Sequence, residues 1–179
     1  MILKMKITYS TKIILLKFMR TKIYWLHQFE SSAKLGIMGR PCGNEQLEDE
    51  ILHLKKQNVH VLVSLLESEE IYELGLRKQK NYCEEQQIEY FNFPIADRNI
   101  PQKSDKIEVF IQEMVEKINK GFSVVIHCRM GIGRSSIIAG YILLKLGWQT
   151  DKIMDHIGKI RGVKVPDTPE QMEWLRNLV

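Results

Sequence analysis

The stretch from Val125 to Ser136, VIHCRMGIGRSS, most constrains what this chain can fold into. Phe122 to His127 (FSVVIH) reads as a buried strand that stops at Cys128. Gly131 and Gly133 then punctuate the next few residues, and apolar residues at helical spacing resume from Arg134 to Leu146. The pattern is strand, tight loop, helix. A glycine-bearing loop in that position can turn successive backbone N–H groups toward one point on the axis of the following helix, near its positive end. That point is an anion site. Cys128 opens the loop, so its sulfur lies on the floor of the site, where amides and the helix end favour thiolate over thiol. Arg129, Met130, Gly131, Ile132, Gly133 and Arg134 would form the wall around a bound phosphate. Arg134 brings a planar fork suited to two phosphate oxygens. Ser135 can offer its hydroxyl to the sulfur.

The rest of the chain supplies a sheet for that loop to stand on. Lys22–Phe29 and Lys34–Met38 read as strands, with Gly39-Arg40-Pro41 turning the chain out of the second. Asn44 can cap a helix running to about Gln57, with Leu47, Ile51 and Leu54 on one face. Val59–Leu66 is a buried strand, Ser68–Leu76 and Arg77–Gln87 are helical, and Ile88–Phe93 returns to strand. Pro94 to Pro101 (PIADRNIP) is a loop whose prolines discourage continuation of the sheet. Ser104–Lys120 is an amphipathic helix closed by Gly121, and Thr150–Arg161 is another helix. A last one opens on Asp167, Thr168 and Pro169, with the proline in the first turn. The expected class is α/β: a central, mostly parallel or mixed sheet of four to five strands flanked by helices, with the phosphate-binding loop between a central strand and a helix. Ligands of such sheets bind at the carboxyl ends of the strands.

With 179 residues, 44% of them apolar, the chain suits one domain, here residues 22–179. Residues 1–21 read as a basic arm or extra strands: Met1 to Phe29 carries six Lys or Arg and no acid. Attachment of that arm to an anionic membrane surface is the alternative. Its cations are scattered rather than leading an apolar block, unlike a secretory signal, and no run approaches the roughly 18 apolar residues of a membrane span. A net charge of +4 suits an anionic substrate, and no basic tract with interleaved aromatics calls for nucleic acid. Cys42, Cys83 and Cys128 are an odd set without CxxC pairing, which argues against a disulfide framework and for a cytoplasmic setting, with the nucleus also open. The histidines have no ligand spacing, so neither a metal nor another cofactor is expected.

The frame His127-Cys128-x5-Arg134-Ser135, with glycine third after the cysteine, resembles the signature of the protein tyrosine phosphatase superfamily. The short chain is most similar to its dual-specificity branch. The resemblance implies a single catalytic domain that hydrolyses phosphomonoesters, phosphotyrosine and/or phosphoserine/threonine on proteins, through a cysteinyl-phosphate. Cys128 would be the nucleophile, Arg134 the phosphate binder and Asp97, on the proline-bounded loop, the general acid. His127 would shape the loop from behind. The segment Val165-Pro-Asp-Thr-Pro-Glu-Gln171 resembles one that small members place near the site, where Gln171 could align the attacking water; a solvent-facing Gln171 on a capped helix is the alternative. The implied partner is a phosphorylated protein or peptide, acted on by a monomer. Phosphoinositide or RNA 5′-phosphatase activity, a non-catalytic phosphoprotein-binding module and a rhodanese-like sulfur transferase are the competing readings. Whether Cys42 or Cys83 pairs with an oxidised Cys128 is open, ordinary buried thiols being the simpler reading.

Overall fold

The computed structural model describes residues 20–102 and 105–178. Of the basic arm, residues 1–19 lie outside the described residues, as do Ser104 and Val179. Five strands, β1 (Tyr24–Gln28), β2 (Lys34–Met38), β3 (Val61–Ser64), β4 (Glu89–Asn92) and β5 (Val124–His127), form one sheet. Among the described residues seven α-helices flank it: α1 (Leu47–Lys56), α2 (Ser68–Glu73), α3 (Gln79–Glu85), α4 (Asp105–Asn119), α5 (Arg134–Lys145), α6 (Thr150–Arg161) and α7 (Pro169–Arg176). The expected class is therefore met. β2 has the expected bounds, and the other four strands are shorter than the runs that announced them, because pairing stops where the chain must turn.

The sheet order is β1-β2-β5-β3-β4. Only β1 runs antiparallel, against β2; the other pairings are parallel. Parallel strands covered on both faces should be apolar throughout, and β3 and β5 are buried at every position. Alternation sorts their side chains between two cores. Val61, Val63, Val124 and Ile126 join the core built with α4, α5, α6 and α7, whereas Leu62 and Val125 join that built with α1 and α3. In register, Met38 of β2 and Ser64 of β3 both lie beside His127 of β5, so the three central strands end together. The loop after β5 leaves from this shared carboxyl edge.

One local expectation needs correction. Asn44 does not cap α1. It sits at φ +53°, opening a short 3-10 turn (Asn44–Gln46), and α1 begins at Leu47 without a side-chain cap. The turn is fixed instead by the Asn44 amide, which donates to the carbonyl of Gly75 at 2.9 Å. At the other end of the chain the expected cap is present: Thr168 Oγ1 accepts from the amide of Gln171, with Pro169 in the first turn of α7. Just before β1, the Thr21 amide donates to the buried Glu50 carboxylate at 3.1 Å, and Arg20 pairs with Glu50 and Asp49.

Candidate active site

Cys128 is the first residue beyond β5 and is nearly buried, at 3% exposure. The Gly131 amide donates to its Sγ at 3.2 Å, and Ser135 Oγ, in the first turn of α5, lies 3.5 Å from it. Gly131 has φ +67°, and a Cβ there would come within 2.5 Å of the Met38 carbonyl and 2.6 Å of the Gly39 nitrogen. Only glycine allows the loop to fold down onto the end of β2 in this way. Gly133 leaves room of another kind: a Cβ there would meet Gln171 Oε1 at 2.8 Å. From the turn after β2, the Arg40 amide donates to the Arg129 carbonyl at 3.2 Å, so Gly39-Arg40-Pro41 braces the loop.

Arg134 is almost wholly buried, and its guanidinium is engaged by the protein itself. Nη1 donates to Glu70 Oε2 at 2.6 Å and to the Ile95 carbonyl at 2.9 Å. Nη2 donates to Glu70 Oε1 at 2.9 Å and reaches Asp97 Oδ1 at 2.8 Å. Glu70 takes the fork, which leaves the edge formed by Nε and Nη2 for an anion, and Asp97 rests on that edge. Burial works against the charge on Arg134, yet Glu70 together with Cys128 and Asp97 more than offsets it, raising its pKa. Burial likewise opposes the charged form of Glu70, and the hydrogen bonds from Arg134 and the Glu67 amide reverse this, holding its carboxyl below the usual range. Arg129, next to the cysteine, turns to Glu73 at 2.8 Å, with Glu70 4.0 Å away.

Gln171 does not face solvent. It is fully buried; its Oε1 accepts from the Asp167 amide at 3.2 Å and its Nε2 donates to the Asn99 carbonyl at 2.9 Å. It thus ties the loop of Asp97 to the start of α7, and Arg98 pairs with Asp167 at 3.5 Å across the same gap. Cys128, Arg134, Asp97, Arg129, Gln171 and Asp167 line one pocket of about 220 Å³, which also reaches Met130, Ile132 and Gly133. Among the described residues no cluster of His, Cys, Asp and Glu could hold a metal.

His127 lies behind the loop with no exposed surface, its Nε2 2.9 Å from Gln79 Nε2. Burial pushes its pKa down to about 4, against a smaller opposing contribution from the Cys128 backbone. At neutral pH it is uncharged, so its effect on the loop is through position. A histidine near 6.5 when unfolded takes up a proton between pH 6.5 and 4 that the folded protein refuses. Stability should therefore fall by roughly 3 kcal/mol as pH drops through that window; above it this residue contributes nothing, and below it the full loss persists without further slope. Urea unfolding at pH 7.5, 6, 5 and 4 should show that slope, and His127→Gln should flatten it. Cys83 is buried in the core with α1 and α3, on the sheet face opposite the α5 core that holds Cys128, so the sheet separates the two sulfurs. Burial, with the nearby Glu84 charge, raises the Cys83 thiol to about 12.

Sequence reasoning missed Glu70. Its signal was present: Glu67 and Glu70 form a capping box at the start of α2, where the segment beyond β3 leaves the carboxyl edge of the sheet. Gln79 behind His127 carried no comparable mark.

The chain belongs to the dual specificity phosphatase catalytic domain family, whose model matches residues 49–178, and with it to the protein tyrosine phosphatase superfamily. It is 30% identical over 131 residues to 197R of Invertebrate iridescent virus 6, which bears a tyrosine phosphatase name. That match takes in 65% of this chain and 46% of the viral protein, so the chain spans about half the length of that relative. The fold resembles kinase associated phosphatase, solved with its catalytic site cysteine replaced by serine, at TM-score 0.80 and 19% identity, covering 90% of this chain and 95% of that one. It also resembles PTPMT1 in complex with PI(5)P, at TM-score 0.66 and 19% identity, covering 80% and 88%.

Proposed function

We propose that the chain is a cysteine-dependent phosphatase acting on phosphotyrosine and/or phosphoserine/threonine of proteins. The observation that carries this reading is the convergence of Cys128 Sγ, the Gly131 amide, the buried Arg134 and Asp97 on one small pocket. In the first step the sulfur attacks phosphorus in line: the P–S bond forms as the ester P–O bond breaks, and Asp97, protonated, gives its proton to the departing oxygen. Loop amides and the Nε–Nη2 edge of Arg134 hold the equatorial oxygens as charge redistributes. For this Asp97 must leave Arg134 Nη2, with which it pairs. In the second step water attacks phosphorus and yields a proton to Asp97, and the P–S bond breaks to release inorganic phosphate and the thiolate. Ser135 Oγ stabilises the sulfur as it leaves. Gln171 Nε2 has a second hydrogen beyond the one given to Asn99, suited to aligning that water.

A protein substrate is favoured by the loop's own cation: Arg129 is already neutralised by Glu73, so the loop offers little surplus charge to a polyanionic headgroup. The likeness to PTPMT1 with a bound phosphoinositide supports lipid phosphate as the second reading. An odd number of cysteines without CxxC pairing suits the reducing cytoplasm. Hydrolysis of p-nitrophenyl phosphate should persist in EDTA and stop with vanadate, and Asp97→Ala should slow it roughly 10²–10⁴-fold. Phosphopeptides, phosphoinositides and 5′-triphosphorylated RNA assayed side by side then assign the substrate. Binding of phosphopeptide without turnover of any of them would replace the hydrolase reading with that of a binding module.

A further inference from the structure

Arg161, the last residue of α6, touches the loop from outside. Its Nε donates to the Gly131 carbonyl and its Nη2 to the Met130 carbonyl, both at 2.9 Å. The other face of its guanidinium lies over the ring of Tyr24 in β1, 4.1 Å from the centroid. A trans peptide unit points its C=O and N–H in opposite directions. The Met130 carbonyl shares its peptide plane with the Gly131 N–H, and that N–H is the one aimed at Cys128 Sγ. The Gly131 carbonyl shares its plane with the Ile132 N–H. Together with the Arg40 amide on the Arg129 carbonyl, three successive carbonyls are held outward, which turns the N–H groups of Met130, Gly131 and Ile132 inward.

We infer that Arg161, seated on Tyr24, is a positioning residue that orients and polarises the loop amides toward Cys128 and toward a bound oxyanion. The inference rests on the hydrolase reading for its purpose, but its physical content is the direction of these peptide planes. A cation on a carbonyl strengthens the hydrogen bond that the same peptide's N–H makes on its far side. Lysine could reach only as a point charge, without the fork that takes two carbonyls at once. The Tyr24 ring holds the guanidinium flat against the loop, which makes the edge strand β1 part of the site's support.

The test needs no turnover. Tungstate affinity by calorimetry and the pH dependence of Cys128 alkylation by iodoacetamide should be measured for the wild type, Arg161→Gln, Arg161→Lys and Tyr24→Leu, with thermal unfolding alongside. Arg161→Gln is expected to bind tungstate about ten- to a hundredfold more weakly, as for loss of charge-assisted hydrogen bonds. Its alkylation profile should move to higher pH, with Arg161→Lys in between. A folded Arg161→Gln with wild-type tungstate affinity and an unmoved profile overturns the inference, since a residue serving stability alone would change only the unfolding temperature. Should Arg161→Gln not fold, Tyr24→Leu decides: it keeps both hydrogen bonds, and about two- to fivefold weaker tungstate binding with a smaller shift of the profile is expected. Wild-type values in Tyr24→Leu would then reject the proposal. A wild type that binds tungstate but hydrolyses no phosphomonoester overturns the hydrolase reading and leaves this inference to be judged on the same two measurements.

Discussion

Cys128→Ser is expected to fold as the wild type does, to bind orthophosphate, and to lose turnover by at least about 10⁴-fold, the scale of removing an enzyme nucleophile. The serine hydroxyl fits where the sulfur sits and can still accept from the Gly131 amide, so the anion cradle survives. What is lost is a sulfur nucleophile, softer than a serine oxygen and readily displaced from phosphorus. Single-turnover assays with p-nitrophenyl phosphate, together with phosphate titration of the variant, check both halves. Retained activity would mean that another group attacks phosphorus, and absent phosphate binding would mean that the loop does not hold anions.

Glu70→Ala should be the most destabilising single change near the pocket. It removes both carboxylate oxygens from a guanidinium with 2% of its side chain exposed. Breaking a buried pair from one side leaves an uncompensated charge, a loss of about 3–5 kcal/mol. Arg134 keeps the Ile95 carbonyl and Asp97, so the lower end, about 3 kcal/mol, is expected. For a chain of this size that corresponds to a fall of roughly 6–12 °C in Tm. Activity should fall further than stability explains, because without its fork clamped Arg134 is free to turn its ligand-facing edge away from the loop. Calorimetry with and without saturating phosphate separates the two effects. A Tm within 2 °C or so of wild type would remove Glu70 from this role.

The loop and the strand and helix on either side of it were legible because three local signals agree: an apolar run, glycines where a tight turn needs them, and a helix pattern beginning at Arg134. The class of sheet followed from alternation of strands and helices over the whole chain. The partners of Arg134 were not legible in the same way. Glu70 lies far along the chain, and nothing in a single surface-like glutamate says which buried cation will fold against it. For the same reason Gln171 could be read as solvent-facing until the loop after β4 was seen to close over it. Asn44 misled through a rule that is only local: asparagine suits a cap, but it also tolerates the left-handed region, and the contact with Gly75 selected the second use.

The place of β5 in the sheet bears on the order in which the molecule comes together. Its neighbours are β2 and β3, and Lys34 at the start of β2 donates to Ser123 Oγ from 89 residues away. Closing a loop of that length costs entropy before any contact offsets it, and such pairings are slow to form. The thiol can acquire its surroundings only after Arg161 and Gln171, which follow it in the chain, have left the ribosome. Until then it is a cysteine on a growing chain without the loop around it, so its setting is completed by segments synthesised well after it.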